Sequence, residues 1–129
     1  MTVDKQPILP HLIRSIPEQF SWVDHRLVRE RRIDNLSHQA SALYLFLVTV
    51  GDNQGLSYYG DKTLGKRLGM DMSVLSEARN ALVHHQLIAY REPLYQVLAL
   101  DIGREPVQAG SNTVSIGKIL QQMAGGDGR

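Results

Sequence analysis

The sequence predicts one small domain, mainly α-helical, closed by a small antiparallel β-hairpin. Three observations carry this. Ser37 to Val50 holds an apolar run of helical length. Leu64 and Leu68, then Leu75, Ala78 and Leu82, recur at intervals of three and four, with Gly69 between the two sets. "LIAYR" and "LYQVLAL" are β-type runs parted only by Glu92 and Pro93, the mark of a tight hairpin.

The bulk composition sets limits. A chain of 129 residues can bury one modest core. Without cysteine it can hold no disulfide, thiol nucleophile or thiolate-bound zinc. The longest apolar stretch, Ala42 to Val50, is too short to span a bilayer, and Asp4, Pro7 and Pro10 interrupt what a signal peptide would need. A cytoplasmic location with no membrane partner is the expectation. The net charge of +1 is low for a nucleic-acid binder, so any such binding must rest on local clustering of basic residues.

In chain order, residues 1–19 hold three of the five prolines and read as an N-terminal arm. Residues 20–101 form the domain, and residues 102–129 a linker followed by a short amphipathic segment on Ile116, Ile119, Leu120 and Met123. Within the domain, "VDHRLVRERRIDNL" sets Val23, Leu27 and Ile33 on an apolar stripe among charges, a first helix. Ser37 caps a second, which is apolar almost all round beyond Ala42, as a central buried helix would be, and Gly51 ends it. Strand formers in that run make a strand the competing reading, and length favours the helix. "LSYY" reads as a short strand, whose alternation buries one tyrosine and exposes the other.

The two glycines in "DKTLGKRLGMDMSVLSEARNALVHHQLIAY" then acquire a role. Gly69 can take the left-handed conformation that ends one helix, and Asp71 can cap the next, with Met70 and Leu75 packing across the cap. Gly65, on the inner side of the first helix, lets backbones approach. The pattern of apolar Leu64, small Gly65, apolar Leu68, hinge Gly69, apolar Met70, apolar Leu75 and small Ala78 resembles the helix-turn-helix of DNA-binding proteins. With a preceding helix, a strand before and a hairpin after, residues 37–100 resemble a winged helix-turn-helix domain. "LSHQASALYLFL" and "LVHHQLIAY" are similar, more loosely, to bacterial winged-helix regulators and plasmid replication initiators.

That resemblance implies sequence-specific binding of double-stranded DNA, in transcription regulation or replication initiation, with a mobile element as one setting. In such a fold the second helix of the motif enters the major groove. With Leu75, Ala78 and Leu82 inward, Ser73, Ser76, Glu77 and Asn80 face outward and Met72 and Arg79 flank them. These are the expected base contacts: Asn80 suits adenine, Arg79 guanine, Glu77 cytosine N4 and Met72 a thymine methyl. Lys62, Lys66 and Arg67 on the first helix, and Arg91 at the hairpin turn, are expected on the DNA backbone. A single reading helix spans few base pairs, so a homodimer is expected, joined by the arm or the C-terminal segment. The alternative is a winged-helix module that docks on a protein partner.

"HRLVRERR" is a second basic cluster, either part of the footprint or paired with Asp24, Glu30 and Asp34. No metal site is expected, since His84 and His85 are adjacent and point about 100° apart on a helix. No cofactor is implied. No nucleophile turn or phosphate loop is present, so no catalytic residues and no enzymatic activity are expected.

Overall fold

The computed structural model describes residues 3–100. Among them are four α-helices and a three-stranded antiparallel sheet, a mixed α/β arrangement. The chain runs α1 (Arg26–Arg29), α2 (His38–Val50), β1 (Leu56–Tyr58), α3 (Asp61–Leu68), α4 (Met72–His84), β2 (Ile88–Arg91) and β3 (Leu94–Val97), with a single 3-10 turn at Pro10–Leu12. The linker and amphipathic segment expected over 102–129 lie outside the described residues.

Each helix starts where a side chain satisfies an orphan backbone donor or where a turn permits it. Ser37 accepts from the Ala40 N–H and opens α2. Asp71 accepts from the Val74 N–H at 2.9 Å and opens α4. The first helix is shorter than its stripe suggests. Arg31 takes φ 57, and the Ile33 N–H bonds back to the Leu27 carbonyl, so the chain folds over after one turn. Val23 stays exposed while Leu27 is buried. Gly51 ends α2 in an extended conformation, φ −67 and ψ 148, rather than a left-handed one. A Cβ there would approach the Leu47 carbonyl to 3.1 Å.

β1 joins the hairpin to make the order β1-β3-β2, which turns the expected two-stranded feature into a sheet. The pairing sets Ser57 beside Tyr95 and Tyr95 beside Tyr90, a row across one face. Ile88 and Val97 share that face, and Tyr58, Ala89, Arg91 and Gln96 on the other are exposed. One covered face and one wet face is the ordinary condition of an antiparallel sheet. The core is built from Leu43 and Leu47 of α2, Leu64 of α3, Leu75 and Leu82 of α4, and Leu87, Ile88 and Tyr95. Full burial of side chains this large stabilises by about 1.5–3 kcal/mol each. α4 packs mainly on α2, and α3 packs on α4.

Candidate nucleic-acid interface

The bend between α3 and α4 is made by two glycines acting differently. Gly69 has φ 68, the left-handed conformation that a side chain resists, and a Cβ there would meet nothing within 4 Å. Its N–H and that of Met70 both donate to the Gly65 carbonyl, closing α3. Gly65 is buried and demands closeness instead. A Cβ on it would lie 2.7 Å from the Met70 carbonyl oxygen and 3.0 Å from the Met72 methyl. The close neighbour is the turn and the first residue of α4. Met70 and Leu75, at the positions that flank the Asp71 cap, are both buried.

This bend and the burial of Leu75, Ala78 and Leu82 leave a polar face on α4. Ser73, Glu77 and Asn80 are exposed, Met72 is 50% exposed, and Ser76 is half-buried. The Ser73 hydroxyl donates to Asp71 Oδ1 at 3.1 Å, so it supports the cap as well as facing outward. The Val74 N–H, and after it the Ser73 hydroxyl, hold the Asp71 carboxyl below its ordinary pKa.

No family model, curated protein or solved structure matches the chain.

Lys62, Lys66 and Arg67 on α3 are exposed, as is Arg91 at the end of β2. Lys62 and Lys66 are one turn apart on the same side of α3. Lys66 and Arg67 sit in its last turn, where cations suit the negative end of the helix dipole. The Arg67 guanidinium lies 5.5 Å from the centroid of the Phe46 ring, and Tyr59 packs edge-on to the same ring at 5.2 Å. The hairpin turn beyond Arg91 is Glu92–Pro93, with a cis peptide bond.

Arg79 departs from its expected role. The sequence sets it at the flank of the reading face, but its side chain is only 11% exposed. Its guanidinium donates to Asp61 at the start of α3, at 2.8 Å, and to the Tyr95 hydroxyl on β3, at 2.9 Å. It also lies over the Tyr90 ring of β2, 4.4 Å from the centroid. Burial works against its charge, but the bonds to Asp61 and Tyr95 outweigh it and hold the group firmly protonated. The reason is angular. Arg79 follows Leu75 by four and precedes Leu82 by three, at the edge of their stripe, where Asp61, Tyr95 and Tyr90 draw it inward. It ties α3, α4 and the hairpin together and cannot reach a guanine without leaving all three partners.

Sequence reasoning missed Tyr90, Tyr95 and Asp61 as its cradle. The tyrosine pair was in principle legible, because a two-residue turn at Glu92–Pro93 sets Tyr90 opposite Tyr95.

Three arginines of the second basic cluster pair with neighbouring acids, and Arg29 stays exposed. Arg26 bonds Asp24 at 2.6 Å, Arg31 bonds Asp34 at 3.1 Å, and Arg32 bonds Glu30 at 2.9 Å. The side-chain hydrogen bond from Arg26 lowers the Asp24 pKa to about 2. His84 and His85 meet edge-to-face at 5.3 Å, and among the described residues no group of three possible metal ligands occurs. Tyr58 is exposed and Tyr59 half-buried, and no described helix is long and apolar enough to cross a membrane.

Proposed function

We propose that this chain is a winged helix-turn-helix protein that binds double-stranded DNA with sequence preference, α4 lying in the major groove. The observation that carries the reading is the combination of the Gly69 bend with an uncovered polar face on the first turns of α4. Met72, Ser73, Ser76, Glu77 and Asn80 are the base-reading set, with Asn80 the strongest member because it can bond adenine bidentately. Lys62, Lys66, Arg67 and Arg91 contact phosphates. Arg79 is a positioning residue that fixes the angle between α4 and the hairpin. Transcription regulation and replication initiation are the processes that the sequence resemblance suggests.

The test is fluorescence anisotropy on duplexes selected from a random pool, titrated with salt. Four phosphate contacts predict a log–log slope of roughly −3 to −4 per copy. Asn80→Ala shifts the preferred sequence, and Lys66→Ala weakens all sequences alike. Absence of selectable DNA, or binding indifferent to salt, defeats the proposal. The acidic Glu77 on the reading face and the net charge of +1 favour the second reading, a protein-docking module, in that event.

A further inference from the structure

Phe46 lies on α2 between Leu43 and Leu47, which are buried, yet it is itself only half-buried. Two side chains from outside the helix cover it. Tyr59, two residues before α3, meets its ring edge-on at 5.2 Å, with the planes 83° apart. The Arg67 guanidinium, from the last turn of α3, lies over the ring, 5.5 Å from the centroid. An edge-on neighbour is a favoured aromatic arrangement, and a cation over a ring face is attracted by the ring's quadrupole.

Arg67 differs from other arginines of the domain in what its N–H groups do. Arg26, Arg31, Arg32 and Arg79 each pair with a carboxylate. Arg79 also lies over a ring, that of Tyr90, but it donates to Asp61 and Tyr95 as well. Asp61 is the one acid in α3, and Arg79 holds it. Among the described residues Arg67 forms no ion pair, and the Phe46 ring beneath it has no acceptor. The ring therefore confines the guanidinium while leaving its donors open to a ligand.

We propose that Phe46, braced by Tyr59, is a positioning residue for a phosphate contact made by Arg67. The inference rests on the DNA reading above and adds to it a residue that acts only through the arginine. A long side chain loses rotamer freedom when it binds, and one already held against a ring loses less. A guanidinium held in place can also meet a phosphate with two parallel bonds. Charge selects an anionic occupant, because Lys66 stands next to Arg67 and Lys62 one turn before Lys66. If the arginine stem did no more than cover apolar surface, the ring would matter for folding and not for binding.

The experiment uses the full chain. In the free protein, NMR should show the Arg67 side-chain protons shifted upfield by the Phe46 ring current, and Phe46→Leu should abolish that shift. The same variant should weaken binding roughly two- to tenfold, both to the selected duplex and to a scrambled duplex of equal length. The salt slope should stay unchanged, because the charge remains. Phe46→Tyr, which keeps the ring, should bind as the unmodified chain does. Arg67→Ala should lower the slope by about 0.9, and adding Phe46→Leu to it should change nothing more. Arg67→Lys, at an exposed position, retains the charge and should lose about as much as Phe46→Leu.

Equal losses from Phe46→Leu with and without Arg67 assign the ring to packing and overturn the proposal. So does an unshifted Arg67 in the free protein, or full affinity in Phe46→Leu or Arg67→Lys. An unmodified chain that binds neither duplex defeats the DNA reading and the phosphate role with it, while the ring-current shift, measured without DNA, still reports whether Phe46 holds Arg67.

Discussion

The Arg79 guanidinium lies over the Tyr90 ring, 4.4 Å from its centroid, while bonding the Tyr95 hydroxyl and the Asp61 carboxylate. One cation therefore joins three elements that are distant in sequence. Arg79→Ala leaves the Tyr95 hydroxyl without its partner and should destabilise by about 1–3 kcal/mol in urea unfolding. Arg79→Lys keeps the charge but loses the planar fork and should fall between the two. Neither should alter which bases are preferred in the DNA selection, in contrast to Asn80→Ala.

The two glycines of the bend should respond differently to the same change. Gly65→Ala drives a methyl to 2.7 Å from the Met70 carbonyl, a backbone group that must move, and should cost about 1–3 kcal/mol. Gly69→Ala meets no neighbour but forces alanine to φ 68, at about 1–2 kcal/mol. Gly69→Asn should restore most of that loss, because asparagine tolerates the left-handed region, whereas Gly65→Asn should be worse than alanine. Thermal melts of the four variants separate the two causes.

Helix starts give a third prediction. Ser37→Ala removes the acceptor for the Ala40 N–H and should cost about 1 kcal/mol in the stability of α2.

Acid should reveal the depressed carboxylates. Asp24, hydrogen-bonded by Arg26, has its pKa lowered from 3.8 to about 2, and Asp71 is lowered by the Val74 N–H. Both are lower folded than unfolded, so the unfolded chain binds more protons as the pH falls. Their contribution is complete above the ordinary value of 3.8 and is lost as the pH falls below it, toward about 2 for Asp24. Denaturation curves between pH 7 and 2 should show that decline, and Asp24→Asn and Asp71→Asn should each flatten it.

Ser57 points the other way. Its hydroxyl is buried without a hydrogen-bond partner, in the row that continues to Tyr95. Ser57→Ala should be neutral or slightly stabilising, by up to about 1 kcal/mol, in the same urea assay.

How far the sequence alone reaches is clear from these residues. Ser37, Gly69, Asp71 and the turn at Glu92–Pro93 act through bonds and conformations within a few positions of themselves, so their roles were legible in order along the chain. The same holds for the exposed face of α4, which follows by subtraction once Leu75, Ala78 and Leu82 are assigned inward. The limits of α1 were not, because a left-handed arginine at position 31 carries no local signature.

Local spacing thus determined the α3–α4 bend, the hairpin and the buried stripe of α4. Only the tertiary structure decided that β1 completes a sheet, that Arg26, Arg31 and Arg32 are spent on neighbouring acids, and that Arg79 turns inward. A side chain at the edge of a helical stripe has two environments available, and periodicity weighs them equally. The choice falls to what the neighbouring elements offer, here a carboxylate, a hydroxyl and an aromatic face brought together by folding.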